Sequence, residues 1–510
     1  MLSKVRSYAL RGLEGYEVEV ETDLNQGIPA IEMVGLPDTA IKESKDRVRS
    51  AIKNCGYNFP IRRITVNLAP ADTKKEGPAF DLPIAIGLLA ASEQIEGRAY
   101  KDFVFMGELS LDGKLRPING IMPLLISGMQ AGHKKYIIPY GNRKEAGYVE
   151  GIEVYALESL QEVCDFLNGT ITKTPVPHIA YESSVTVNKY GYDFSDVKGQ
   201  LTAKRAMEIA VAGGHNVLMI GPPGAGKTML AKCVLTIMPD LTFDEAVEVT
   251  KIHSVAGILD SSKGIVTTRP FRTPHHSTTI PSLVGGDRKA KPGEVSLAHY
   301  GILFLDEVPE YNRKALEALR QPMEDGVITV SRIHQSVEYP ANFMLIGSMN
   351  PCPCGNYGSR TSKCSCSPSQ IHNYLNKVSG PLLDRIDLQV ELDGITYEEF
   401  ADTSLGEASA VIKDRVSEVR KIQAKRFKND GITNSQMNNK QIKEFCVLDD
   451  VSQMLLQTAF DKLNLSARAS YRILKVARTI ADMAGCENIQ SEHVAEAIQY
   501  RSLDRKYWGK

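Results

Sequence analysis

The chain has 510 residues, 43% hydrophobic and 24% charged, which is too long for one hydrophobic core and calls for about three domains. Its 60 basic against 61 acidic side chains leave a formal net charge of −1, so any cationic surface for a nucleic acid must be local. No apolar run approaches the ~20 residues that span a bilayer, the first residues lack a secretory pattern, and nine cysteines are an odd number that argues against a disulfide framework. The chain therefore reads as cytoplasmic, with no membrane partner.

Residues 1–170 read as an α/β domain. GYEVEVETDL, IPAIEMVG and RRITVNLAP alternate like strands. Between them, Ile41, Val48 and Ile52 have helical spacing in a run that ends at Gly56. DLPIAIGLLAASEQ reads as a buried helix, and FVFMGELSLDGKLRPI as a hairpin turning at Asp112-Gly113. Residues 171–194 are rich in Thr, Pro and Ser without sustained periodicity and read as a linker. Residues 195–395 alternate apolar strands (VLMI, GILFLDE, FMLIGSMN) with helices, the pattern of a parallel sheet. Residues 396–510 turn wholly helical and read as an all-α lid.

VLMI runs into Gly221-Pro222-Pro223-Gly224-Ala225-Gly226-Lys227-Thr228, which opens the helical run MLAKCVL. A loop of this kind turns its backbone N–H groups and the helix N-terminus toward phosphate. Lys227 is expected at the β- and γ-phosphates of ATP, and Thr228 on Mg²⁺. Asp306 and Glu307 end the strand GILFL at the carboxyl edge, where such sheets bind ligands. Asp306 is expected to hold Mg²⁺ through water, and Glu307 to activate the attacking water. Asn350, ending the next strand, either positions that water or serves as a turn residue.

GPPGAGKT, LFLDE, SMNPCPCG and LLDRID, in this order, resemble the magnesium-chelatase-like AAA+ ATPases, and the N-terminal segment narrows the resemblance to the ComM/YifB group. The resemblance implies a homo-oligomeric ring, a hexamer, with ATP at subunit boundaries. It also implies that Arg385, in Leu382-Leu383-Asp384-Arg385-Ile386-Asp387, reaches the neighbour's phosphates; the alternative is an ordinary Arg–Asp surface pair. Arg468, in Ser466-Ala467-Arg468, resembles the second sensor at the γ-phosphate, with Arg472 as a rival. Two insertions match the family as well. One carries Arg269, Arg272, Lys289 and Lys291; the other alternates as a hairpin with Arg332 and His334 near its tip. Such cations either grip DNA phosphates without reading sequence or belong to solvated loops and subunit contacts.

Cys352, Cys354, Cys364 and Cys366 crowd into one short stretch after Asn350. Four thiolates complete a tetrahedral structural Zn²⁺ site. Cys-x-Cys twice departs from the usual Cys-x-x-Cys, and free thiols are the alternative. In residues 1–170, Lys75-Glu76-Gly77-Pro78-Ala79 resembles the region of Lon proteases that carries the nucleophilic serine, with Ala79 in the serine's place. Met122 stands where the resemblance expects the catalytic lysine, so this domain is expected to be an inactive scaffold. The implied function is an ATP-driven DNA translocase or helicase for branch migration in recombination or natural transformation, acting on single-stranded or branched DNA. The alternative is a chelatase-type or protein-remodelling ATPase with a protein client.

Overall fold

The computed structural model describes residues 1–97, 99–184, 191–286, 290–332, 335–358, 363–394, 406–463 and 465–509. It is an α/β structure of two compact units: Met1–Thr186 with Thr242–Thr267, and Val187–Leu241 with Thr268–Lys510.

The first unit is built on β1 (Leu2–Arg11), β2 (Glu14–Asn25), β3 (Ala30–Val34), β4 (Arg63–Ala69), β5 (Phe103–Phe105), β6 (Glu108–Leu109), β7 (Leu115–Arg116), β8 (Lys135–Pro139) and β9 (Glu153–Leu157). Seven of them form one mixed sheet in the order β3-β4-β2-β1-β5-β8-β9. β1 and β2 make an antiparallel hairpin in register from Leu2 with Asp23 to Arg11 with Glu14. The helix Asp81–Ala91 is apolar on all sides because it is buried on all sides. It approaches the sheet so closely that a Cβ on Gly87 would stand 2.6 Å from Thr22 Oγ1. The stretch read as one long hairpin divides instead. β5 joins the large sheet parallel to β1 and β8, and only the two-residue strands β6 and β7 pair around the Asp112-Gly113 turn.

Much of the stretch read as a linker is pinned to this unit. Val176 N–H donates to Val154 (2.7 Å), Ile179 N–H donates to Gly147 (2.8 Å), and Tyr181 is buried. Residues 185–190 of that stretch lie outside the described residues. The helix Phe243–Ala256, from the middle of the chain, also packs here. A capping box between Thr242 and Glu245 starts it, and left-handed Gly257 (φ 78°) ends it.

The second unit contains β10 (Val217–Ile220), β11 (Phe271–Arg272), β12 (Ile302–Leu305), β13 (Val327–Arg332), β14 (Gln335–Pro340), β15 (Met344–Met349) and β16 (Leu388–Glu391). Five form an all-parallel sheet in the order β11-β12-β15-β10-β16. β13 and β14 pair separately as the expected antiparallel hairpin. The helices Ser409–Phe427, Asp450–Leu463, Ala467–Met483 and Ser491–Gln499 make the C-terminal helical region. Sheet and C-terminal helices share one core: Val217, Met219, Ile346 and Val390 lie in the same cluster as Val416, Ile473, Val476 and Ile480. The apolar face of Ala467–Met483 is thus buried against the parallel sheet's core, which is where a helix of this length finds its stability.

Candidate active site

β10, β12 and β15 are neighbours, so the phosphate loop, Asp306-Glu307 and Asn350 leave the sheet at adjacent carboxyl ends. The register pairs Ile220 with Met349 and Leu305 with Gly347. In the loop, Gly224 (φ 79°) and Gly226 (φ 83°) take left-handed conformations open to glycine, and Lys227 begins the helix that ends at Ile237. Gly221 cannot be larger, since a Cβ there would meet Leu392 O at 2.6 Å. The Lys227 ammonium donates to Gly221 O (2.6 Å), Pro222 O (2.9 Å) and Asn350 Oδ1 (3.0 Å). Burial lowers its pKa, against the opposing pull of Asp306 and Glu307.

The Thr228 hydroxyl donates to Asp306 Oδ2 at 3.1 Å. The Ser348 hydroxyl and the Glu307 N–H (3.1 Å) both donate to Asp306 Oδ1. Asp306 and Glu307 are exposed at the strand end. The donor set of Thr228 and Asp306 fits Mg²⁺, a hard cation that takes oxygen ligands and keeps several waters. Sequence reasoning missed Ser348. Its signal was a hydroxyl two residues before Asn350, hence on the same strand face, in an otherwise apolar run.

The structure brings Arg385 and Arg468 together on one carboxylate. Each donates to a different carboxylate oxygen of Glu324. Arg385 is buried and also donates to Pro381 O (2.8 Å) and Arg320 O (3.2 Å). Arg472, the rival to Arg468, donates to buried Asp387 and to Arg385 O. Burial would raise the Asp387 carboxyl, but Arg472, His215 and the Asn216 N–H hold it well below the usual range.

Two of the cations expected at DNA carry protein partners. Arg269 donates to Pro239 O (2.6 Å), Tyr300 O (2.8 Å) and Asp240 O (3.2 Å). Arg272 makes a two-pronged pair with Glu294 at 2.6 and 2.8 Å. Arg269 ties the insertion to Pro239 and Asp240, and Arg272 pairs within it, uses that composition does not reveal. Lys291 is exposed. Lys289 and His334 lie outside the described residues, as does the Arg332 side chain.

The four cysteine Sγ atoms lie within 4.8 Å of one another, with Cys352 buried and the others half-buried. The backbone N–H groups of Asn356 and Ser365 pull the Cys354 thiol down to about 5. In the first unit, Ala79 and Met122 provide neither nucleophile nor base. The Met122 N–H instead donates to Glu145 Oε1 (2.9 Å), which also accepts from Ser254 Oγ (2.6 Å). Burial pushes the Glu145 carboxyl up to about 7.

Family comparison agrees with this architecture. The model for "Magnesium chelatase, subunit ChlI" matches residues 193–400, "Subunit ChlI of Mg-chelatase" matches 20–142, and "Magnesium chelatase, subunit ChlI C-terminal" matches 406–501. Competence protein ComM of Haemophilus influenzae is 44% identical over 508 residues, covering 99% of this chain and 98% of that protein. The protein YifB of Escherichia coli is 43% identical over 509 residues, with the same coverage. Lon protease 2 of Bacillus subtilis is 30% identical over 146 residues, 27% of this chain and 26% of its own. With full-length relatives on one side and a nucleotide-site geometry on the other, the chain belongs to the ComM/YifB family of magnesium-chelatase-like AAA+ ATPases.

Proposed function

We propose that this protein is an ATP-driven, ring-forming DNA translocase of the cytoplasm, promoting branch migration in recombination during natural transformation. The observation that carries the motor reading is the convergence of Lys227, Thr228, Asp306, Glu307, Ser348 and Asn350 at three adjacent strand ends. There the loop N–H groups and Lys227 bind the triphosphate, Thr228 and Asp306 hold Mg²⁺, and Glu307 takes a proton from the attacking water. Asn350, hydrogen-bonded to Lys227, positions that water. Arg385 and Arg468, held side by side on Glu324, act together on the phosphates bound by a neighbouring subunit of a hexamer. The N-terminal domain serves as a scaffold.

The DNA substrate is supported by the name of the Haemophilus relative, which matches this chain along its whole length. Arg269 and Arg272 already engage protein groups, so the grip is assigned first to Lys291, Lys289 and the β13–β14 hairpin. A grip on phosphates alone is independent of sequence and weakens with salt. The test is ATP hydrolysis with and without single-stranded and forked DNA at low and moderate salt, followed by strand displacement. Stimulation that fades with salt, and is absent from Glu307→Gln, supports the translocase. Hydrolysis indifferent to DNA overturns it and favours the chelatase-type or protein-remodelling alternative.

A further inference from the structure

The cysteine cluster has the dimensions of a metal site. Zn²⁺ in a Cys₄ tetrahedron has bonds of about 2.3 Å, which sets its sulfur–sulfur edges near ~3.8 Å. Cys352 Sγ lies 3.4 Å from Cys354 Sγ and 3.7 Å from Cys364 Sγ, and Cys354 Sγ lies 3.6 Å from Cys364 Sγ. A disulfide would bring one pair to about 2.05 Å, and all four are free thiols. The Tyr357 N–H donates to Cys352 Sγ at 3.3 Å, the kind of outer contact that steadies a thiolate ligand. Four sulfur ligands leave no open position, so a metal here is structural.

The surroundings of the cluster give that metal a role. Gly355, between two of the cysteines, lies directly on the phosphate loop: a Cβ added to it would stand 2.5 Å from Pro223 Cδ, at a φ of +81°. Cys352 follows Asn350, the acceptor of the Lys227 ammonium, by two residues. Beyond Cys366, Ser367 caps the helix Pro368–Leu375, whose buried Tyr374 lies against the Asn350 N–H. Both sides of the cluster thus touch groups that shape the nucleotide site.

We propose that Cys352, Cys354, Cys364 and Cys366 bind one zinc ion, and that this ion braces the phosphate loop through Gly355 and Pro223, making nucleotide affinity depend on metal occupancy. The coupling rests on the reading of the Lys227 loop as the ATP site; the metal assignment does not.

Elemental analysis of the purified full-length protein should find one zinc per chain, released when the cysteines react with a thiol-directed mercurial in the presence of a metallochromic dye. Binding of a fluorescent ATP analogue should weaken at least tenfold on zinc removal and recover on zinc addition. Cys364→Ser/Cys366→Ser should lack zinc and bind the analogue as weakly as the stripped protein. Gly355→Ala should keep its zinc yet bind the analogue more weakly, because its Cβ collides with Pro223. This variant isolates the coupling if the cysteine variants fail to fold. Absence of metal, or iron in place of zinc, overturns the site. Unchanged analogue affinity after zinc removal overturns the coupling. No analogue binding by the zinc-loaded protein overturns the ATP reading while leaving the metal site standing.

Discussion

Glu307 occupies the left-handed region (φ 53°), which costs a residue with a side chain on the order of 1 kcal/mol. The turn this makes at the end of β12 lets its own N–H donate to Asp306, so strain at one carboxylate helps fix the other. Glu307→Gln preserves the shape and removes the proposed base. ATP binding should be unchanged and turnover should fall by roughly 10²- to 10⁴-fold, measured as analogue affinity against phosphate release. Asp306 is oriented by three donors, Thr228, Ser348 and Glu307 N–H. Ser348→Ala removes one without touching the nucleotide-binding loop. The Mg²⁺ concentration for half-maximal hydrolysis should rise by about tenfold, as for other partners of metal ligands; a Mg²⁺ titration with an unchanged midpoint would sink this role for Ser348.

Among the elements, what could be read in the sequence divides by the range of the interaction involved. The phosphate loop, the helix after it and the buried helix Asp81–Ala91 follow from neighbours in the chain, and the periodicity shows them. β1 escaped notice because Ser3 and Ser7 occupy inward, buried positions, hiding the apolar alternation. Ser348 and Glu324 acquire meaning only from strand order and from two arginines far away in the chain. The helix Phe243–Ala256 is the furthest case: local propensity makes it a helix, but its ties to the N-terminal residues include Ser254, which accepts from Gly120 N–H (2.9 Å) and donates to Glu145.

That junction predicts a pH dependence. The unfolded Glu145 carboxyl titrates near its ordinary 4.5, whereas the folded one is raised to about 7. Between these values the folded state holds the extra proton, so the contribution is complete below 4.5 and is lost as pH rises through 7. The loss amounts to roughly 3 kcal/mol at most. Glu145→Gln keeps an acceptor for Met122 N–H and Ser254 and abolishes the titration. Its melting temperature, compared with that of the native chain at pH 5.5 and 7.5, should show the larger gain at 7.5. An equal difference at both pH values would exclude Glu145 as the source.

For the whole molecule, the placement of the arginines bears on assembly. Thr228 is hydrogen-bonded to Asp306 at the carboxyl ends of the strands, whereas Arg385 and Arg468 share Glu324. Burial alone would raise the Glu324 carboxyl, but Arg385, and then Arg468 and Arg472, hold it below its ordinary value. An anionic Glu324 offsets the repulsion between two close cations, and in the proposed ring both would face the more highly charged triphosphate of a second subunit. If hydrolysis needs the loop of one subunit and the arginines of the next, Lys227→Ala and Arg385→Ala are each inactive alone but complementary when mixed. The interface that joins the intact loop of Arg385→Ala to the intact arginines of Lys227→Ala is whole. Random mixing at equal amounts in a closed ring makes about a quarter of the interfaces of that kind. Phosphate release by the mixture should therefore approach about a quarter of the native rate, scaled by any need for cooperation around the ring, and should vanish at concentrations too low for assembly. A mixture as inactive as its components, although sedimentation shows them co-assembled, would place the arginines in the same subunit's reaction and remove the reason for a ring.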